Sequence, residues 1–414
     1  MIPRARFIML NLYHILIDGL FDSVPVVLAF MALALGSGET DVGLVVSLGA
    51  ALSTAVGLGT GLFSRRFGFY GSVALLIGLA GLGYLGAAFA GSMITAGACF
   101  VLAMAGFAAF HNISFSYITA NTERQSLGRV MSDFTAIGDV GRIPLVSFAA
   151  FAAAYSVGTM PGWRAVCLAY GVLALCAALW LFYTAVKKSP SADASTQPGN
   201  PASDPLPGAE AAPPPRPRRN PFAGFSILKN RDVFLAMLAS MLNAYSNDRI
   251  FTFLPLLLVA KGIDAKTIGS FALGFTLGSF VGKMACGRLI DIFGTRKIFV
   301  IAGVTLALLL CALLQSSNLI LTVIISLAIG IVTKGTVPVI QTIITEPVRG
   351  ATVYDAIFSL NSFGRGIINM LTPVLFGGIA SLWSMDAVYL LMAAVAALGI
   401  VPVLLMSRSR TAAE

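Results

Sequence analysis

The sequence predicts an all-α membrane protein with twelve transmembrane helices, arranged as two pseudo-symmetric bundles of six. The 414-residue chain is 57% hydrophobic and 11% charged, whereas soluble domains carry about 25% charged residues. Apolar stretches recur twelve times at about the 20 residues that a helix needs to cross a bilayer. A sequence pattern also recurs in the two halves of the chain. Together these observations indicate a polytopic membrane protein built from a duplicated unit.

Apolar runs broken by Gly, Pro and charged residues place the individual spans. The predicted spans are 7–35, 42–63, 69–90, 93–120, 128–155 and 163–186 in the first half, and 233–260, 267–287, 297–315, 319–344, 352–380 and 385–405 in the second. Between them lies a Pro-rich basic segment with almost no large apolar residues, which we expect to be a disordered cytoplasmic tether near anionic lipid headgroups. The predicted domains are therefore 1–186, 187–221 and 222–414.

The distribution of positive charge predicts the orientation in the membrane. The formal net charge is +9, yet most of the 27 Lys and Arg residues fall on the loops of one side, and Arg164, Lys261 and Lys266 fall on the other. Positive loops stay in the cytoplasm, so both termini are predicted to be cytoplasmic. This bias argues against a nucleic-acid partner. We expect a monomer in a bacterial-type plasma (inner) membrane, in contact with membrane lipids.

Two related segments follow the second and eighth spans. Gly61-Leu-Phe-Ser-Arg65-Arg66-Phe-Gly precedes the third span, and Gly287-Arg-Leu-Ile-Asp291-Ile-Phe-Gly294-Thr-Arg296-Lys297 precedes the ninth. At the same spacing along the chain, Asp22 corresponds to Asp248. At a nearly equal spacing, Arg142 corresponds to Arg365, and His111 to Lys334. Tandem six-helix halves are a known architecture of secondary transporters.

The second segment resembles the loop signature of the major facilitator superfamily, Gly-x-Leu-x-Asp-x-x-Gly-Arg/Thr-Arg/Lys-Lys. The resemblance implies a transporter that works by alternating access, in which this loop latches the halves on the cytoplasmic side. Arg65 stands where the first copy should be acidic, so Asp291 is the predicted latch carboxylate. The implied gating-loop residues are Gly61, Arg65, Arg66, Gly287, Asp291, Gly294, Arg296 and Lys297.

A narrower resemblance involves the first half of the chain. His14-x-x-x-Asp18, Phe110-His111 and the glycine-rich stretch 137–141 are similar to positions in the fosmidomycin-resistance group of drug efflux porters. The sequence departs from that group at Asn112-Ile113, where the group has Pro-Glu. The resemblance implies export of a drug-like solute.

The first span carries an unusual polar stripe. His14, Asp18 and Asp22 recur every four residues, so they share one helical face. A charge near the bilayer centre costs at least ~2.5 kcal/mol, which indicates that this face lines a protein interior or a wet cavity. Histidine titrates near neutral pH. We therefore predict proton coupling by His14, Asp18, Asp22 and His111; the alternative is a seam of hydrogen bonds between helices.

Charged residues in later spans predict the substrate site. Asp139 and Arg142 can pair on one helical face, either at the substrate or as a buried pair that fixes packing. Lys334 and Arg365 have no acidic neighbour at helical spacing, which favours an anionic ligand. The predicted substrate-binding residues are Asp139, Arg142, Asp248, Arg249, Lys334 and Arg365.

No enzyme signature of the HExxH, GxSxG or Walker type occurs in the sequence. The five cysteines lie in apolar stretches without a CxxC pair. We therefore expect neither enzyme activity nor a cofactor or metal ion. The sequence favours a proton-coupled secondary transporter that exports a small, anionic organic solute by antiport. The alternatives are a proton-symport importer of a small carboxylate, and a membrane receptor or scaffold that transports nothing.

Overall fold

The computed structural model describes residues 4–58, 60–122, 124–187, 227–348 and 354–407. The first half contains α1 (Arg4–Ala34), α2 (Glu39–Leu58), α3 (Thr60–Phe89), α4 (Met93–Asn121), α5 (Arg124–Ala153) and α6 (Gly162–Lys187). The second contains α7 (Arg231–Asn247), α8 (Ile250–Ala260), α9 (Ile268–Phe293), α10 (Thr295–Gln315), α11 (Leu319–Thr345), α12 (Tyr354–Leu382), α13 (Met385–Leu398) and α14 (Ile400–Leu405). Residues 188–221 of the predicted tether lie outside the described residues.

Each predicted span coincides with one of these helices or with two in tandem. Within the described ranges, nine segments are long and apolar enough to cross a membrane. Large apolar side chains face outward, among them Leu179, Trp180 and Leu308, which are each more than 60% exposed. An extended apolar exterior is unstable in water and fits contact with lipid. The all-α membrane fold predicted from hydropathy is confirmed.

The prediction of one continuous helix over residues 233–260 is wrong. Helix α7 ends at Asn247, and α8 begins at Ile250 after a turn formed by Asp248 and Arg249. Both of these side chains reach α12, where Asp248 contacts Arg365 and Arg249 contacts the backbone of Asn369. Side chains of neighbouring residues on a helix point about 100° apart. The turn changes these directions, so that Asp248 and Arg249 both contact α12.

The packing of the helices follows the internal repeat. Helix α1 packs against α5, and α2 against α4; in the second half α7 packs against α12, and α9 against α11. The halves meet along α2–α12 and α5–α9, which are equivalent pairs under the repeat. Gly68 and Gly294, at matching places in the two loop segments, both have positive φ, of 65° and 82°. Glycine tolerates this conformation without steric cost.

Several contacts between the halves lie where α2 and α9 begin. Thr40 Oγ1 lies 2.8 Å from Ser381 Oγ, and Ser47 Oγ accepts a hydrogen bond of 3.0 Å from the backbone N–H of Val374. Nearby, the Lys266 ammonium lies over the ring of Tyr155. With the predicted orientation, this is the extracytoplasmic side of the protein. These contacts place the halves against each other on that side.

Candidate proton-coupling and substrate site

The polar stripe of α1 meets α4 and α5 in the first half. His111 on α4 brings its Nε2 to 3.1 Å from Asp18 Oδ1, and His14 Nε2 lies 3.4 Å from Asp18 Oδ2. The two imidazole Nε2 atoms are 3.1 Å apart. Gly138 on α5 leaves room for the close approach of these three side chains, because a Cβ atom at this position would lie 2.8 Å from Asp18 Oδ2. We call His14, Asp18 and His111 the triad.

The hydrogen-bond partners define where protons sit in the triad. His14 Nδ1 lies 2.9 Å from the backbone carbonyl oxygen of Phe134. A carbonyl oxygen can only accept, so Nδ1 carries the hydrogen and the neutral His14 ring presents a bare Nε2. The His111 Nε2–H can then donate to either His14 Nε2 or Asp18. His14 Nε2 and Asp18 Oδ2, both of which can accept a hydrogen, therefore face each other at 3.4 Å.

The members of the triad differ in their access to solvent. The side chains of His14 and Asp18 are 2% and 5% exposed, whereas that of His111 is 36% exposed. The His14 ring stacks on the ring of Phe134, with centroids 4.1 Å apart. Aromatic packing thus fixes one imidazole, while the other is open to water. His111 is therefore the member of the triad that water can reach.

The triad also has the donor atoms of a metal site. One ligand atom from each residue lies within 4.8 Å of the others, and imidazole with carboxylate is a ligand set that zinc accepts. However, Asp18 Oδ2 also lies 3.1 Å from Arg142 Nη2. The guanidinium charge repels a divalent cation at that position. This repulsion argues against a divalent cation in the triad.

Arg142 links three carboxylates around the triad. Its Nη2 contacts Asp18, its Nε lies 2.7 Å from Asp22 Oδ2, and its Nη1 donates to Asp139 Oδ1. The predicted pairing of Asp139 with Arg142 is thus present, and Asp22 belongs to the same network. Three carboxylates on one guanidinium leave the network negative. It therefore needs a further cation or a proton.

The further cation comes from the other half of the protein. Lys283 on α9 donates to Asp139 Oδ2, so Asp139 bridges Arg142 in the first half and Lys283 in the second. Lys283 was not among the predicted site residues, although a lysine inside an apolar span is a signal that could have indicated it. Its partner could not be recognised from sequence, because the pair forms only when α5 and α9 pack together.

The second half contains a smaller counterpart of the network. Arg365 Nη2 lies 3.0 and 2.8 Å from the two Asp248 carboxylate oxygens. Arg365 has no acidic neighbour at helical spacing, as the sequence indicates, and its partner Asp248 lies 117 residues earlier in the chain. Asp22–Arg142 and Asp248–Arg365 occupy corresponding positions of the repeat. The duplicated unit has kept this ion pair in both halves.

The remaining cations of the predicted site have other environments. Arg249 donates to the backbone carbonyl of Asn369 at 2.8 Å and does not pair with its neighbour Asp248. Lys334 on α11 is half-buried and has neither an ion pair nor a hydrogen bond with any residue that the structure describes. Lys334 is close enough to Lys283 for the two charges to interact.

The gating-loop residues whose surroundings the structure describes form no ion pair with this network. Asp291 is exposed and forms no ion pair with the described part of the chain, so its role as a latch stays a prediction. Arg296 instead binds within the second half, to Glu346 at 3.3 Å and to the carbonyl of Met406. Three further members, Arg66, Gly294 and Lys297, are exposed. The predictions for Gly61, Arg65 and Gly287 fall outside the residues whose surroundings the structure describes.

A repeated helical membrane fold with buried charges where its halves meet is the organisation of a secondary transporter. The family model of the Major Facilitator Superfamily matches residues 10–274 and 233–414. The chain therefore belongs to this superfamily of multi-pass membrane transporters. It moves a small solute by alternating access and is not an enzyme.

Solved transporters share the fold at low sequence identity. A bacterial homologue of the human lysosomal transporter Spinster is 14% identical, with a TM-score of 0.69 over 96% of this chain and 94% of that one. The nucleoside transporter NupG is 11% identical, with a TM-score of 0.72 over 97% and 98%. A D-xylose-proton symporter is 14% identical, with a TM-score of 0.70 over 96% and 97%. The sequence has no significant match among curated proteins.

Proposed function

We propose that this protein is a proton-coupled antiporter that exports a small organic anion across a bacterial-type plasma membrane. The observation that carries this proposal is the continuous path of charged groups from the triad, through Arg142 and Asp139, to Lys283 in the other half. A proton that binds at one end of such a path changes the contact between the halves at the other end.

The coupling follows from competition for shared partners. A proton on Asp18 removes the negative charge that holds Arg142 Nη2. The guanidinium then interacts more strongly with Asp139, which weakens the hold of Asp139 on Lys283. Protonation thus favours separation of the halves at α5 and α9. Loss of the proton restores the ion pair.

The balance of charge favours an anion as the transported solute. With both histidines neutral, the groups described above comprise four carboxylates (Asp18, Asp22, Asp139 and Asp248) and five cations (Arg142, Arg249, Lys283, Lys334 and Arg365). One anionic group on the solute would neutralise the excess. The resemblance to the fosmidomycin-resistance group supports export, and therefore antiport.

Transport in proteoliposomes tests this proposal. The purified protein is first screened by thermal shift against small organic anions, and the most stabilising compound becomes the transported solute. For antiport, a pH gradient that is acidic inside the vesicles should drive the solute inward, and a protonophore should abolish its accumulation. Accumulation under the opposite gradient would instead indicate symport. Flux that is insensitive to both gradients and protonophore would refute proton coupling.

Replacement of either histidine should change the pH dependence of transport, whereas transport itself should continue. We expect that His111→Ala keeps transport but moves its pH optimum to higher pH. The variant lacks the Nε2 donor that stabilises the charged form of Asp18, which then accepts a proton more readily. The measurement is the initial rate of solute flux between about pH 5 and 8, the range in which histidine changes charge, compared with His14→Ala. An unchanged profile in both variants would contradict a role for the triad.

A further inference from the structure

Lys334 is the cation of the network that has no protein partner among the described residues. Arg142, Lys283 and Arg365 each contact a carboxylate, and Arg249 contacts a backbone carbonyl. Lys334 lies within α11, a helix of 27 residues with high hydropathy. An unpaired charge inside a membrane costs several kcal/mol unless water or a ligand compensates it. The half-buried side chain is reachable for such a compensating group.

A second lysine lies close to Lys334. Helix α9 packs tightly on α11, since Cβ atoms at Gly278 and Gly282 would collide with the α11 backbone. This packing places Lys283 near enough for its charge to interact unfavourably with that of Lys334. Asp139 neutralises Lys283 through one carboxylate oxygen. Of the two ammonium groups, only that of Lys283 contacts a carboxylate of the described residues, and Asp139 divides this carboxylate between Lys283 and Arg142.

We propose that Lys283 and Lys334 together form an anion-recognition subsite that binds the carboxylate, phosphate or phosphonate group of the solute. The inference rests on the proposed transport of an organic anion and assigns the residues that recognise it. An ammonium group is a compact point charge that suits the oxygens of such groups from several directions. A bound oxyanion compensates Lys334 and competes with Asp139 for Lys283.

This competition links substrate binding to the contact between the halves. When the anion binds Lys283, Asp139 pairs with Arg142 alone. The Asp139–Lys283 ion pair, which joins α5 to α9, is then lost. Protonation of the triad has the same effect on this ion pair through Arg142. Either the proton or the anion alone therefore releases this contact, so the two need not be bound together, as antiport requires. The subsite also places the anion in the second half of the protein, apart from the triad in the first.

Binding of simple oxyanions by the purified full-length protein tests the subsite. Methylphosphonate and acetate are titrated, with methylammonium as a probe of opposite charge, and the shift in thermal unfolding is recorded. We expect an oxyanion to stabilise the wild type, and its affinity to fall about tenfold or more in Lys334→Gln because a charged hydrogen bond is lost. Lys334→Arg should recover part of the affinity. Lys229→Gln, which changes an exposed lysine of the described chain, should leave it unchanged.

The role of Lys283 has a separate measurement. Asp139→Asn removes the competitor, so the affinity for the oxyanion should rise severalfold, and this gain should disappear when Lys283→Gln is added. Equal oxyanion affinity in wild type and Lys334→Gln would overturn the proposal, as would stabilisation by methylammonium instead of the oxyanions. Neither result depends on proton coupling, which the pH-gradient experiment tests independently.

Discussion

Replacement of Asp18 by asparagine should abolish accumulation of solute driven by a pH gradient while exchange of solute across the membrane continues. Asparagine keeps the size of the side chain and can still accept hydrogen bonds from His111 and Arg142, but it cannot bind the coupling proton. Asp18 is 5% exposed and contacts both histidines and Arg142, so no neighbouring carboxylate occupies an equivalent position. The change therefore removes coupling without removing the path for the solute.

The comparison uses two assays on the same proteoliposomes. One follows accumulation against a concentration gradient under an imposed pH difference, and the other follows exchange of labelled for unlabelled solute without that difference. Asp41→Asn, which changes an exposed carboxylate at the start of α2, is the matched control and should behave as the wild type. Wild-type accumulation by Asp18→Asn would show that the coupling proton binds elsewhere.

Arg142→Gln should cause the largest loss of stability among single changes in the network. The guanidinium contacts Asp18, Asp22 and Asp139, and the side chains of Asp18 and Asp139 are 5% and 8% exposed. Removal of one partner from a buried ion pair costs about 3–5 kcal/mol because an uncompensated charge remains. The midpoint of thermal unfolding in detergent should fall accordingly.

Arg365→Gln is the matched comparison in the second half. It leaves one carboxylate without a partner, and that carboxylate, Asp248, is 25% exposed, so water compensates part of its charge. We expect a clearly smaller decrease in the unfolding midpoint. The double variant Arg142→Gln with Asp18→Asn should recover part of the lost stability, since it also removes a buried charge. Equal effects of the two arginine variants would mean that Arg142 is not the centre of the network.

Hydropathy and spacing were sufficient to predict the helices, because a bilayer demands long apolar runs whose backbone groups are satisfied within each helix. The His14–Asp18 pair was also predictable, since residues four apart share a helical face. The break at Asp248 was missed, because it depends on partners on α12 that the local sequence does not contain. The twelve-helix count stays a prediction.

Contacts between distant segments limited what could be inferred about the site. Arg365 has an acidic partner, Asp248, that lies 117 residues earlier in the chain. The repeat contained a signal for it, because Asp22 and Arg142 occupy the corresponding positions and also pair. Lys283 had no such signal for Asp139, since that contact joins two halves whose relative position the sequence does not define. For Lys334 the sequence left open an acidic partner or an anionic ligand, and the structure shows no acidic partner among the residues that it describes.

The movement of protons themselves is the most direct test of the central claim, that the triad exchanges a proton for an organic anion. Liposomes that contain the protein, a pH-sensitive dye and the stabilising anion are diluted into medium without the anion. Efflux of the anion is expected to acidify the vesicle interior in the wild type and in Asp41→Asn, whereas Asp18→Asn should show no acidification. Efflux from wild-type vesicles without a change in internal pH, or with the interior becoming alkaline, would contradict the central claim.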